Sequence, residues 1–270
     1  MSKRRPEDTL SELKRDLASL KLTTMLAHLD ETTEQASRLE QGYVTFLAGL
    51  VAKEVLARSD VATGRRIKAA GFPEIKTFDH FDWTFQKSLN IQLVKDLMHL
   101  HFVREGRPVL LLGKPGTGKT HLSIAYGVLA CQAGLRVRFI SATRLLRNLY
   151  AALADDTTDT AIAQLARNDL LIIDELRDCT PNRPEYASLF ADLVEALYEK
   201  KALILSSNLD VKQWGRVLGN VTLTGALVDR LVHRAAIINI RKGKSYRSEG
   251  PDAPPESDRP EASSDGAAGE

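Results

Sequence analysis

Gly113-Lys114-Pro115-Gly116-Thr117-Gly118-Lys119-Thr120 is the stretch that decides the fold. It has the spacing of a phosphate-binding loop: Gly, four residues, then Gly-Lys-Thr, with a further glycine at 116. The run before it, Val109-Leu110-Leu111-Leu112, is apolar and short enough for a buried parallel strand. The run after it, His121 to Ala133, has a helical pattern closed by Gly134. Strand, glycine loop and helix are the context the motif requires. Glycines let backbone N–H groups turn inward around a triphosphate, and the helix N-terminus adds a partial positive charge. Lys119 is placed to reach the β- and γ-phosphates and the Thr120 hydroxyl to ligate Mg²⁺. ATP and Mg²⁺ are therefore the expected cofactors. The expected nucleotide contacts are Gly113, Lys114, Pro115, Gly116, Thr117, Gly118, Lys119, Thr120 and the adjoining His121.

A second half-site lies about 50 residues further on, in Leu170-Leu171-Ile172-Ile173-Asp174-Glu175. An apolar strand ending in two acids places them where ligands bind in a parallel sheet, beyond the strands' carboxyl ends. Asp174 is expected to hold Mg²⁺, and Glu175 to polarise a water for attack on the γ-phosphate. The next apolar run, Ala202-Leu203-Ile204-Leu205-Ser206-Ser207-Asn208, ends in an amide. Asn208 can orient the attacking water or sense the γ-phosphate, and it can equally cap the helix after Asp210. In Leu227-Val228-Asp229-Arg230-Leu231-Val232-His233-Arg234, two arginines share one helical face. Such a face is either simply solvated or carries an arginine that reaches a neighbouring subunit's γ-phosphate.

The pattern between these motifs is α/β. Val109–Leu112, Val137–Ile140, Leu170–Ile173, Ala202–Ser206 and Ala236–Ile240 are candidate strands with helices between them, which predicts a five-stranded parallel sheet covered on both faces. Residues 1–75 read as a small helical domain. Leu10, Leu13, Leu17 and Leu20, then Phe46, Leu47, Leu50, Val51 and Val55, recur at helical spacing, punctuated by Gly42, Gly64 and Gly71. Residues 76–247 form the α/β core. Residues 248–270, rich in Pro, Ser, Gly, Asp and Glu, are expected to be disordered.

Composition narrows the function classes. The chain has 270 residues, 43% hydrophobic and 27% charged, with no run near the ~20 apolar residues needed to span a bilayer. No membrane association is expected. The two cysteines and six histidines lack metal or redox spacing, and a cytoplasmic setting is expected. Net charge is +2, but the tail from 248 carries seven acids and one base, leaving 36 bases against 28 acids in the rest. That basic remainder suits nucleic acid. Candidate phosphate-backbone contacts are Arg65, Arg66 and Lys68, and Arg136, Arg138, Arg144 and Arg147; Arg241, Lys242, Lys244 and Arg247 form a third basic run. Each cluster has a solvated face as its alternative. No helix-turn-helix or zinc-finger signature is present, so sequence-neutral duplex binding is expected.

Taken in order, these motifs resemble an AAA+ ATPase. The two helical stretches Ala142–Ala154 and 158–167, inserted between the second and third strands, resemble the initiator and loader clade that includes DnaA and DnaC. The resemblance is strongest to the IstB family, helper ATPases of bacterial insertion sequences. It is carried by Gly71-Phe72-Pro73, Phe78-Asp79-His80-Phe81-Asp82, the phosphate loop, Ile172-Ile173-Asp174-Glu175-Leu176, Ser206-Ser207-Asn208-Leu209, Gln213-Trp214-Gly215, Asp229-Arg230-Leu231 and Ser245-Tyr246-Arg247. It implies an ATPase that forms homo-oligomers on duplex DNA, with ATP between subunits and Arg230 acting in trans. It implies selection of target DNA and recruitment of a DDE-type transposase. It places the segment around 78–81 near the adenine, and it implies that a lid domain with its sensing arginine is lacking and that hydrolysis depends on assembly or a partner. Arg177-Asp178 stand where the family usually has Gly-Tyr, adding charges beside the site. The alternative is a DnaC-like replicative helicase loader, which shares the motor and differs in needing a helicase-binding module.

Overall fold

The computed structural model describes residues 6–177, 183–241 and 243–250, without the side chains of Pro6, Glu7 and Arg247. Cys179, Asp178, Lys242 and the part of the acidic tail from 251 onward lie outside the described residues. The chain divides into two compact units between Arg65 and Arg66.

The first unit is built from α1 (Pro6–Ser19), α2 (Thr23–Arg38) and most of α3 (Tyr43–Ala70). Its core is Leu17, Met25, Leu29 and Leu50, with Leu22, Leu26 and Phe46 packed against them. Of the expected apolar stripes, Leu10, Leu13, Leu20, Leu47, Val51 and Val55 stay 40–67% exposed. Three helices of this size enclose too little volume to cover both stripes. Gly64 does not interrupt α3 as its position suggested: an interior glycine costs a helix only about 1 kcal/mol, too little to end a 28-residue helix. The buried Glu54 carboxylate caps α2, accepting the N–H groups of Thr24 and Met25 at 2.9 and 3.0 Å. The Met25 N–H bond, with Arg58 beside it, holds that carboxyl below the usual range.

In the second unit, α4 (Ile91–Leu97) and α5 (His101–Arg104) lead into β1 (Val109–Gly113) and α6 (Lys119–Gln132). Next come β2 (Val137–Ser141), α7 (Ala142–Ala154), α8 (Thr158–Ala166) and β3 (Leu170–Leu176). They are followed by α9 (Glu185–Leu197), β4 (Ala202–Ser207), α10 (Trp214–Val217) and α11 (Val221–Arg234). The unit closes with β5 (Ala236–Ile240) and α12 (Tyr246–Glu249). The five strands form one parallel sheet in the order β2-β3-β4-β1-β5. β4 therefore lies between the strand that ends in the phosphate loop and the strand that ends in the two acids.

Alternate residues of each strand serve opposite faces; β1, β3 and β4 are buried on both and read as apolar runs, whereas the edge strands β2 and β5 carry Arg138 and Asn239. Leu110, Leu112, Leu171, Ile173, Leu203 and Leu205 pack with α7–α11, including Phe190 and Trp214. Val109, Leu111, Leu170, Ile172 and Ile204 pack with α4–α6, including Phe102, Leu122 and Tyr126. Local caps set the helix starts: Asn90 accepts the Leu93 N–H, Ser141 that of Arg144, and Asn220 that of Leu223. Ser248 and Glu249, assigned to a disordered tail by composition, lie in α12, whose chain Tyr246 anchors through its ring against Phe85 at 4.9 Å. Among the described residues no helix is long and apolar enough to cross a membrane.

Candidate functional site

The phosphate loop leaves β1 at Gly113 and enters α6 at Lys119. Two of its glycines are there for reasons of space and backbone. Gly116 has φ +76° and Gly118, the residue that starts α6, has φ +92°. A Cβ at Gly118 would fall 2.9 Å from the Phe81 ring, and one at Gly116 2.2 Å from the Ser245 hydroxyl. Side chains at either position are thus excluded both by backbone strain and by neighbours. Lys119 is 8% exposed, and its Nζ donates to the carbonyls of Gly113 and Lys114 at 2.7 and 2.8 Å. The Thr117 hydroxyl donates to the Lys114 carbonyl at 2.8 Å. The ammonium is thereby held against the loop's own backbone.

β4 links this loop to the acids. The Thr120 hydroxyl donates to Asp174 at 2.9 and 3.2 Å to the two carboxylate oxygens. Ser206, fully buried on β4, donates its hydroxyl to Asp174 Oδ1 and accepts the Glu175 N–H at 2.9 Å. Burial pushes the Asp174 carboxyl up, and the Ser206 and Thr120 hydroxyls only partly draw it back. The β3–β4 register shifts between Ile173 and Leu176, and Glu175 sits in that bulge with φ +57°. For a residue other than glycine this is a strained backbone, of the kind that recurs at functional sites. The bulge turns Asp174 inward to Thr120 and leaves the Glu175 side chain half exposed, 3.8 Å from the Arg177 guanidinium. The charge that Arg177 brings to the site therefore faces Glu175. Ser207 secures the strand ends, donating to the Leu176 carbonyl at 2.6 Å and accepting the Leu209 N–H at 3.1 Å.

Ser206 was not singled out as a site residue from the sequence. The available signal was a pair of hydroxyls ending an otherwise apolar buried run, since buried polar groups need partners.

A cavity of about 200 Å³ opens from the loop. Its far walls come from the segment 76–86 and from Tyr246. His121 shares in it: its Nε2 hydrogen-bonds with the Thr77 carbonyl at 2.8 Å, and its ring meets Phe81 edge-on at 5.2 Å. Burial lowers the His121 pKa, which favours the neutral ring.

The remaining candidates are dispersed. Asn208 follows β4 directly, is exposed, and makes no side-chain hydrogen bond among the described residues. The cap after it is Asp210, which accepts the Lys212 N–H at 3.0 Å while Gln213 accepts the Asp210 N–H at 2.9 Å, so the capping alternative for Asn208 falls away. Arg230 and Arg234 differ in their surroundings. Arg234 pairs with Glu199 at 2.8 Å and lies over the Tyr198 ring, whereas Arg230 is 61% exposed, with Glu195 only at 3.9 Å. Arg230 sits one turn from the end of α11, which leads into β5, whose first residue pairs with the first residue of β1. It therefore lies at the end of the sheet where strands begin, and the loop lies at the other. The four residue steps from Val109 to Gly113 span about 13 Å.

Among the basic candidates, Arg136 is exposed and paired at the surface. Its N–H and guanidinium bind Asp169, which also takes Lys201 at 3.0 Å. Burial alone would push Asp169 up; these three donors bring it to about 2. Arg138 is half-buried and reaches the Ala69 carbonyl at 3.5 Å. Arg241 pairs with Asp210 and Lys244 with Glu249. Arg65, Lys68, Arg144 and Arg147 are exposed and make no ion pair among the described residues, and Arg66 is half-buried.

Comparison with known proteins places this geometry. Residues 15–251 match the family described as IstB-like ATP binding protein. The chain is 39% identical, over 88% of its length and 89% of the relative's, to a Pseudomonas aeruginosa protein named as the ATP-binding protein of insertion sequence IS21. It is 33% identical, over 89% of its length and 96% of the relative's, to the corresponding protein named for insertion sequence IS232 of Bacillus thuringiensis subsp. berliner. Among solved structures it is similar to AMPPCP-bound DnaA from Aquifex aeolicus, with a TM-score of 0.50 and 25% identity over 62% of this chain and 51% of that one. It also shares its fold with DnaI, with a TM-score of 0.52 and 17% identity over 61% of this chain and 90% of that one.

Proposed function

The chain belongs to the IstB-like ATP-binding protein family, and we propose on that footing that it is an ATPase that assembles on duplex DNA and serves transposition, choosing target DNA and recruiting a DDE-type transposase. The observation that carries the ATPase reading is the chain of contacts from Thr120 through Asp174 and Ser206 to the Glu175 backbone. It fixes two acids of different character beside a phosphate loop: one buried and hydrogen-bonded, one half exposed.

Thr120 and Asp174 are paired oxygen donors of the kind Mg²⁺ takes, and they would hold it. When bound, the ion would neutralise charge on the β- and γ-phosphates. Lys119 turns from its two carbonyls to the phosphate oxygens. Glu175 accepts the proton of the attacking water, and Asn208, exposed just past β4, orients that water or the γ-phosphate. The nucleotide contacts remain Gly113–Thr120 and His121.

Arg230 completes the site in trans. On its own chain it lies across the sheet from the loop, farther than a side chain spans, and its only ion pair among the described residues is the weak one to Glu195. In an oligomer it serves the neighbour's γ-phosphate. Arg230→Ala is expected to keep ATP binding and lose about 1,000-fold in turnover. Mixing it with Lys119→Ala, which keeps its own Arg230, should restore phosphate release at mixed interfaces. Normal turnover by Arg230→Ala alone, or no recovery on mixing, would contradict the assignment.

Duplex DNA is the proposed polyanion. The relatives are named for insertion sequences, and Arg65, Lys68, Arg144 and Arg147 offer exposed cations of the type that grip phosphates without reading bases. Arg136 belongs to that set as well: its side chain is 63% exposed, and its 3.3 Å pair with Asp169 is a surface contact that a phosphate can compete with.

A further inference from the structure

We infer that Tyr246 is a nucleotide-binding residue, its ring forming one wall of the slot that takes the base of the nucleotide whose phosphates occupy Gly113–Thr120. This rests on the ATP-binding reading above and adds to it a wall supplied by the chain beyond β5.

After Ile240 the chain turns and comes back over the phosphate loop, and it is fastened from two sides. The Tyr246 N–H donates to the Gly116 carbonyl at 2.9 Å, so the returning segment is bonded to the loop's own backbone. Ser245 lies against Gly116 closely enough to exclude a Cβ there. From the other side Gln86, 3% exposed, donates its Nε2 to the Lys244 carbonyl at 2.6 Å. Gly243 leaves room in this turn, where a Cβ would crowd Gln86 Oε1 and come 2.8 Å from Ile240 Cγ2 and 3.0 Å from the Ile240 carbonyl.

A segment held in this way gives its aromatic side chain a defined place. Tyr246 lines the cavity and stays 37% exposed, with the Phe85 ring packed against it at 4.9 Å and 74°. Phe81, 7% exposed and itself packed edge-on against Trp83 and His121, lines the cavity as well. The phosphate loop lines the same cavity, so a ligand seated there by its phosphates has these rings within reach of its other end. A flat π-system is the group that such walls favour, and stacking of this kind accepts any base.

The test titrates the full-length protein with ATP and with inorganic tripolyphosphate, each with Mg²⁺, by calorimetry. Tripolyphosphate has the phosphates and lacks the base. Tyr246→Ala is expected to weaken ATP about 10- to 100-fold and to leave tripolyphosphate within about twofold. Tyr246→Phe is expected to bind both as the parent does. Unchanged ATP affinity in Tyr246→Ala overturns the inference. So does an equal loss for both ligands, which would mean the segment only props the loop, and so does a loss in Tyr246→Phe matching that in alanine. If the parent protein binds neither ligand, the ATP-binding reading fails first and the inference with it.

Discussion

Lys119→Ala is expected to reduce ATP affinity at least about 100-fold and to abolish nucleotide-dependent assembly. The lysine ammonium is nearly buried and is aimed by the carbonyls of Gly113 and Lys114, so it is positioned before any phosphate arrives. Charge-assisted hydrogen bonds contribute about 1.5–3 kcal/mol each, and two of them to phosphate oxygens account for two or more decades. Arginine is not a substitute here. Its guanidinium is a wide planar fork, and the pocket between two backbone carbonyls accepts a compact ammonium. Lys119→Arg should therefore lose affinity too. Equilibrium titration with a labelled ATP analogue measures both variants, with thermal melting as the control for folding. Wild-type affinity in Lys119→Ala would place the nucleotide elsewhere.

Glu175→Gln is expected to separate binding from hydrolysis. The glutamine keeps the size of the side chain and leaves the backbone N–H bond to Ser206, so the Asp174–Thr120 arrangement stays as it is. What it removes is a carboxylate able to take a proton. General-base losses run to about 10²–10⁴-fold, and phosphate release should fall within that range while ATP affinity changes little. The variant should accumulate as ATP-bound oligomer on DNA. Single-turnover phosphate release, set against ATP binding in the same sample, checks the split. Full turnover in Glu175→Gln would mean that another group is the base.

Much of this was legible from local pattern, and what was not has a common physical origin. All five strands lie within a few residues of the apolar runs that predicted them: β1, β3 and β4 are buried on both faces, and the edge strands β2 and β5 keep enough apolar positions around Arg138 and Asn239 to be read. β3 runs on through Asp174 and Glu175 to Leu176, where the acids had suggested a stop; the bulge that allows it depends on β4 and Ser206, more than thirty residues away. Strand order was not legible either, since no local signal says that β4 inserts between β1 and β3. The Arg136–Asp169 pair likewise spans 33 residues. The aromatic slot joins Phe85 to Tyr246, and its fastening joins Gln86 to Lys244 across 158 residues. Motif spacing reveals chemistry carried by neighbours in sequence. Chemistry assembled by sheet order and chain return has to be read from the fold.

The most direct test of the account is sedimentation velocity of the full-length protein with random-sequence duplex DNA at low salt, with ATP, with ADP and without nucleotide. The account predicts large DNA-bound assemblies with ATP alone, shrinking as salt rises and cations are screened from phosphates. Absence of DNA binding under every nucleotide condition at low salt would contradict it, and would turn the protein's grip from DNA to another protein, as in a helicase loader.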